Sequence, residues 1–310
     1  MYGILGQGFG LYGYMPALFD LGKEVSTLSK YETFIKDRQD LNYLHQYINY
    51  FEEEEDLIKN CDSIIFARRP SDQFNFVEKI VKSNLKRNLF LEKPIADSLE
   101  KSTSLINMLE KAASNYRVGY SFKYLDWFLD FIKIYNKESK HSLNLEIDWQ
   151  FNASHYKSEK ASWKANPEIG GGAFMFYGSH IVNLLANIEK WHKLELKSYR
   201  YSYIDEYAFF ASGSKKSKNF KVKLNANSKN INIFSIKLFS ENHLVYNLGL
   251  PDPFNRKNLS NLESSRDERI SYIKQVLTSI NEDNSNFYNE YKTTNTLSQE
   301  FLNSQKIIYA

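Results

Sequence analysis

The sequence predicts an α/β protein: an N-terminal doubly wound parallel sheet, then a C-terminal α/β part with an open, mainly antiparallel sheet. Three observations predict it. Short apolar runs alternate with segments of helical periodicity as far as Tyr120, the pattern of a parallel sheet covered on both faces. A glycine loop follows the first apolar run at once. Beyond Ser121 the texture changes to period-2 alternation broken by polar turns, which suits a sheet with one covered face.

The first strand is Tyr2-Gly3-Ile4-Leu5, and Gly6-Gln7-Gly8-Phe9-Gly10 enters an apolar helix that continues through Pro16 to Leu21. Strand, glycine loop and helix in this order form the context of a dinucleotide fingerprint. Gly6 would permit the tight turn, and Gly8 would let backbone approach a pyrophosphate at the helix N-terminus. The third glycine is displaced: G-x-G-x-x-G places it at Leu11, whereas the chain has Gly10 and Gly13. Residues 24–29 read as a second strand, which ends in Ser29-Lys30 instead of the acid that grips an NAD ribose. A hydroxyl and a cation there suit the 2′-phosphate of NADP better than a bare ribose; an exposed polar turn is the other reading.

Glu52 to Glu55 read as the solvated start of a helix, where the macrodipole favours carboxylates. Ser63 to Ala67 form a buried strand ending in Arg68-Arg69-Pro70, two arginines that either face cofactor phosphates or lie exposed. A helix over Phe74–Leu85 leads to the strand Asn88–Leu91, and Glu92-Lys93-Pro94 follows it directly. A lysine at the C-terminal end of a parallel strand points into the crevice where open α/β sheets bind ligands. Pro94 restricts Lys93 to extended geometry. A helix from Asp97 or Ser98 to Ala113 and a strand over Arg117–Tyr120 close the first part, which gives domains of 1–121 and 122–310.

Composition narrows the function classes. A chain of 310 residues with 42% apolar and 25% charged residues is an ordinary globular balance. Forty basic against 37 acidic residues leave a net +3, no basis for nucleic-acid or membrane binding. Cys61 is the only cysteine, so no internal disulfide and no Cys-based metal site is expected. A strand starting at residue 2 leaves no room for a signal peptide, and no apolar stretch spans a bilayer. A cytoplasmic protein is expected. The abundant Tyr and Phe, 22 of each, are read as compositional bias.

In the C-terminal half a helix over Leu125–Tyr135 precedes strands at Ser142–Phe151, Leu194–Tyr203, Tyr207–Ser212, Phe220–Ala226 and Asn232–Phe239. Gly213 to Lys218 read as a hairpin turn, and Arg269–Ile280 and Asn295–Ile308 as closing helices. Between the first of these strands and the rest lies Trp163-Lys164, then Gly170-Gly171-Gly172 leading to Gly178-Ser179-His180. Consecutive glycines allow close approach of another backbone or a ligand. His180 is either a structural helix histidine or a catalytic one, with Asn183 on the same face.

These motifs together resemble the glucose–fructose oxidoreductase / inositol dehydrogenase (Gfo/Idh/MocA) family of nicotinamide-dependent oxidoreductases. The residues that carry the resemblance are Gly6-Gln7-Gly8 with Pro16-Ala17-Leu18, Glu92-Lys93-Pro94-Ile95-Ala96, Val118-Gly119-Tyr120 with Lys123-Tyr124, and Trp163-Lys164 through His180. The resemblance implies a Rossmann domain and a C-terminal sheet through which the chain builds a homo-oligomer. It also implies a sugar, polyol or nucleotide-linked sugar as substrate. The expected cofactor residues are Gly6, Gln7, Gly8, Phe9, Gly10, Leu11, Ser29, Lys30, Ala67, Arg68, Arg69, Glu92 and Lys93, holding NAD or NADP. Tyr120, Lys123, Trp163 and Tyr177 join Lys93 and His180 as expected substrate contacts, and no metal is expected.

The family supplies acid/base chemistry through the lysine of Glu-Lys-Pro and a helix Asp and His four residues apart. Lys93 and His180 match, but the Asp position is Phe176. A phenylalanine there would dry the pocket near His180, and desolvation lowers a lysine pKa, leaving Lys93 competent near neutral pH. Two other readings stay open: an NAD(P)-binding sensor or scaffold, and a transient-redox epimerase, lyase or glycosidase.

Overall fold

The computed structural model describes residues 1–157, 162–254 and 267–309. Two compact units are present. The first holds Met1–Ala96, Ser104–Ser121 and, of the later chain, 267–288; the second holds Asp97–Thr103, 122–254 and 289–309 of the described residues.

The first unit is built on a six-stranded parallel sheet of β1 (Tyr2–Leu5), β2 (Val25–Leu28), β3 (Ile48–Phe51), β4 (Ser63–Phe66), β5 (Asn88–Leu91) and β6 (Tyr116–Val118). Its order is β3-β2-β1-β4-β5-β6, the doubly wound arrangement in which the chain reverses direction beside β1. Ile4, Leu5, Ile64, Ile65, Leu89 and Leu91 are fully buried, as strands covered on both faces require. The connections carry α1 (Met15–Asp20), α2 (Glu32–Asp37), α3 (Glu54–Asn60), α4 (Pro70–Lys82) and α5 (Leu99–Lys111). β3 was not expected from the sequence; of its four residues only Ile48 is buried, so it lacks an apolar run. α4 starts four residues before Phe74, with Pro70 at its first turn, a position where the missing N–H costs nothing.

The second unit holds α6 (Asp126–Glu138) and a seven-stranded mixed sheet, whose first six strands come in the order β7 (Leu143–Gln150), then after α7 (Ser154–Lys157) and α8 (Ser179–Ile188), β8 (His192–Ser202), β9 (Asp205–Lys215), β10 (Lys218–Asn225), β11 (Ile233–Ser240) and β12 (His243–Leu250). β7 pairs β10 in parallel, while β8–β9, β9–β10, β7–β11 and β11–β12 are antiparallel. The turn expected over Gly213–Lys218 tightens to Lys216 and Ser217, because β9 and β10 stay paired out to Lys215 and Lys218.

The chain ends with α9 (Ile270–Thr278), α10 (Asn284–Asn303) and the edge strand β13 (Gln305–Tyr309), parallel to β8. This corrects the helix expected over Asn295–Ile308. The helix begins eleven residues earlier, and Ile307, Ile308 and Tyr309 extend along the sheet edge instead of forming one helical face.

Candidate active site

In the first unit the glycine loop turns off β1 against the end of β4. Gly6 has φ 137°, and a Cβ there would fall 2.2 Å from the Ala67 carbonyl oxygen. Gly8 has φ 73°, and nothing lies within 4 Å of where its Cβ would be. The displaced third glycine is thereby explained. Gly10 takes the close-packing role, since a Cβ would come within 2.9 Å of Ala67 Cβ and 3.2 Å of Ile4 Cγ2. Leu11 is fully buried core, and its N–H donates to the Gly8 carbonyl at 2.9 Å. The open side of Gly8 is the cradle that fits a dinucleotide phosphate, because only there can a ligand reach the backbone without meeting a side chain.

Beside this loop stand groups that the sequence reading missed. Arg38 is held by Asp40 through Nε at 2.9 Å and a second nitrogen at 2.7 Å, and its guanidinium lies 5.1 Å from the Tyr12 ring centre. Arg269, held in the same way by Asp267, lies 4.0 Å from the Phe9 ring centre. Neither stands at a motif spacing. At the end of β2, Ser29 is half-buried and Lys30 exposed, in a short 3₁₀ turn that carries no carboxylate. The turn thus offers one hydroxyl and one exposed cation.

At the end of β4, Ala67 donates its N–H to Leu5 at 2.9 Å, which locks the loop to the sheet. Arg68 is engaged by Glu54 at 2.5 Å, and Arg69 caps α4 with its side chain exposed. One strand further, Glu92-Lys93-Pro94 leaves β5 with a cis Lys93–Pro94 peptide. Tyr14 donates its hydroxyl to Glu92 Oε1 at 2.7 Å, and burial pushes the Glu92 carboxyl above the usual carboxylate range. Gly119 leaves room for that carboxylate, as a Cβ would sit 3.1 Å from Oε1. Lys93 is half-buried, Tyr120 is buried, and Gln73 holds the backbone on both sides of Lys93 and Pro94.

In the second unit His180 is the second residue of α8 and is 5% exposed. Its ring stacks on Phe122 at 4.9 Å and 16°, and Phe254 meets it edge-on at 5.8 Å. Asn183, expected on the same face, donates to Glu290 Oε1 at 2.9 Å and Thr294 Oγ1 at 3.0 Å. The other oxygen of Glu290 accepts from Lys123 at 2.6 Å. Lys123, expected as a substrate contact, is therefore committed to an ion pair with α10.

Trp163 meets Phe176 edge-on at 5.3 Å, and Phe176 meets Tyr177 at 4.8 Å. Lys164 Nζ lies 5.5 Å from the Phe176 ring centre. Tyr177 also packs on Phe151 and stands nearly parallel to His155 at 6.2 Å. Burial pushes the Tyr177 hydroxyl well above its ordinary range, while burial and the Lys164 charge push His155 down to about 4. The glycine run proves to serve backbone packing. A Cβ on Gly171 would lie 2.0 Å from the Trp163 carbonyl oxygen, and the buried Glu206 accepts the Phe174 N–H at 2.9 Å beside Gly172. Among the described residues no group of three or more His, Cys, Asp or Glu could hold a metal, and no helix is long and apolar enough to cross a membrane.

Residues 2–120 match the family model of the oxidoreductase family with an NAD-binding Rossmann fold, Gfo/Idh/MocA. A comparison with curated protein sequences finds no match. Among solved structures, the chain is similar to the WlbA dehydrogenase from Bordetella pertussis in complex with NADH and UDP-GlcNAcA. That match has TM-score 0.75 and 16% identity, covering 98% of this chain and 95% of the other. It is also similar to KijD10, a 3-ketoreductase from Actinomadura kijaniata in complex with NADP and TDP-benzene (TM-score 0.70, 9% identity, coverage 100% and 98%). A probable dehydrogenase from Thermotoga maritima gives TM-score 0.73 and 13% identity, with coverage 98% and 96%. Identities this low show a shared fold.

Proposed function

For a chain whose residues 2–120 match the Gfo/Idh/MocA family model of NAD-binding oxidoreductases, we propose oxidation or reduction of a secondary alcohol or ketone on a sugar, polyol or nucleotide-linked sugar, in the cytoplasm. The observation that carries this reading is the placement of Lys93. It leaves the C-terminal end of β5, on the sheet edge where the glycine loop leaves β1. When bound, the nicotinamide supplies the hydride acceptor or donor. Lys93 Nζ would take the proton from the substrate hydroxyl in oxidation and return it to the carbonyl oxygen in reduction. His180 is the second acid/base candidate, and Trp163, Tyr177 and Tyr120 are the candidate substrate residues.

UDP-GlcNAcA in the WlbA complex and TDP-benzene in the KijD10 complex support a nucleotide-linked substrate. Lys30 and the absence of an acid on the β2 turn support NADP over NAD. A homo-oligomer through the C-terminal sheet is supported by the exposed Tyr201, Tyr203, Ile204, Ile308 and Tyr309 on the β8–β9 and β13 side. Of the division expected at residue 121, the first part would bind the cofactor and the second would bind substrate and assemble, save that 267–288 packs in the first unit and Asp97–Thr103 in the second.

The test is a panel of keto-sugars, polyols and nucleotide-linked sugars followed by NADPH absorbance. Turnover that falls by ~10²–10⁴ in Lys93→Met supports the reading. A Lys93→Met variant working at the wild-type rate overturns the role of Lys93. Phe176, enclosed by Trp163, Tyr177 and Lys164, favours a second reading, an NAD(P)-binding sensor. Tight NADPH binding without turnover across the panel would establish that reading instead. Product formed with no net absorbance change would mark transient redox chemistry.

A further inference from the structure

The buried stripe of α4 is Pro70, Gln73, Phe76, Val77 and Ile80, spaced as a helix face that meets a sheet. One member is polar. Gln73 is 1% exposed at a position where the helical period calls for an apolar side chain. Such a group stays buried only if its hydrogen bonds are made. Its Nε2 donates to the carbonyls of Glu92 and Ile95, both at 2.8 Å, and its Oε1 accepts the Glu92 N–H at 3.0 Å. The amide orientation is unambiguous, because both carbonyls face the nitrogen and the N–H faces the oxygen.

We infer that Gln73 is the positioning residue of Lys93; this rests on the reading of Lys93 as acid/base. The three bonds bracket Lys93 and Pro94, gripping the residue before and the residue after them. The Glu92 side chain is fixed separately by the Tyr14 hydroxyl. With both flanks held, the backbone from which the Lys93 side chain projects is fixed. A leucine or methionine would fill the α4 stripe as well as glutamine does, so packing alone gives no reason for an amide here. Proton transfer does, because a misplacement of ~1 Å at a reacting group costs about a hundredfold in rate.

The test uses Gln73→Leu and the size-matched Gln73→Glu, which can offer the two carbonyls at most one donor. Lysines are ¹³C-methylated reductively, and the Lys93 signal is assigned by its loss in Lys93→Arg. In the wild-type protein a single narrow Lys93 signal stands apart from the exposed lysines. In both variants it splits or moves into that envelope, kcat falls ~100-fold and KM for NADPH stays within twofold. Gln73→His, which keeps one donor and one acceptor, recovers part of both. If Gln73→Leu does not fold, Gln73→Glu carries the same readouts. An unchanged Lys93 signal with unchanged kcat overturns the inference, as does a loss of kcat matched by an equal loss of NADPH binding. If the signal moves but wild-type protein turns over no substrate, the acid/base reading fails and the positioning role stands.

Discussion

The guanidinium of Arg269 lies over the ring of Phe9, 4.0 Å from its centre, although 260 residues separate them in the chain. Phe9 belongs to the glycine loop, and its ring fills the space that a Cβ on Gly13 would need. Asp267 holds Arg269 by two nitrogens, and with its donors so held the guanidinium stays in register over the ring.

A cation over an aromatic ring contributes ~1 kcal/mol at such a site. Phe9→Leu keeps the apolar volume and removes the quadrupole. It is expected to weaken NADPH binding by about fivefold through a looser loop, at 1.4 kcal/mol per tenfold. In a double-mutant cycle with Arg269→Lys the two losses should be non-additive. Titration of NADPH by protein fluorescence measures both, and full additivity would show that the stack does not hold the loop.

Cofactor choice should be decided at the β2 turn. Lys30 is exposed there with no acid beside it on the strand end. Lys30→Glu places a carboxylate where a ribose diol would be gripped and a 2′-phosphate repelled. The expected outcome is a shift of at least about tenfold in the NADPH-to-NADH ratio of kcat/KM, away from NADPH. An unchanged ratio would place cofactor discrimination elsewhere.

Arg117 shows how the 267–288 stretch is anchored to the first sheet. Its buried guanidinium, 1% exposed, donates to the carbonyls of Tyr116, Ser279 and Glu282 and to Asn284 Oδ1, with the Phe287 ring 3.6 Å away. Arg117→Met removes the donor that these groups share, although the Ser279 carbonyl keeps the Glu282 N–H at 2.9 Å. The expected loss is about 3 kcal/mol, seen as a Tm lower by roughly 10 °C. A change under about 2 °C would mean that water replaces the arginine.

The elements legible in the sequence were those whose burial is uniform. Ser63–Phe66 and Asn88–Leu91 lie between helices, so the chain spells them as apolar runs. β3 and β13 sit at sheet edges with one buried residue or none, and an edge strand writes no such run. The glycine loop and Glu92-Lys93-Pro94 were visible because backbone geometry demands those residue types. Gln73 and Arg117 were not, since a polar residue in a helix or a short strand reads as solvated until its partners are known. Gln73 did leave a trace: once α4 is started at Pro70, it falls on the apolar stripe. The glycine run at Gly170–Gly172 was seen but its purpose was not, because Glu206 approaches it from β9 and the Trp163 carbonyl only by the fold of the intervening turns.

Acid stability should depend on His155. It is buried against Tyr156 and Tyr177, and burial with the nearby Lys164 charge pushes it down to about 4 from an ordinary value near 6.5. In the unfolded chain the imidazole binds a proton as the pH falls through 6.5, while in the folded chain it resists until about 4. The unfolded state therefore binds more protons throughout that window, and stability falls as the pH falls through it. Above pH 6.5 both states are neutral and the effect vanishes. Urea midpoints taken across this range should decline toward acid in the wild-type protein. His155→Phe keeps a ring against Tyr177 and removes the proton site, so its decline should be visibly shallower. Parallel curves for the two proteins would assign the acid sensitivity to other groups.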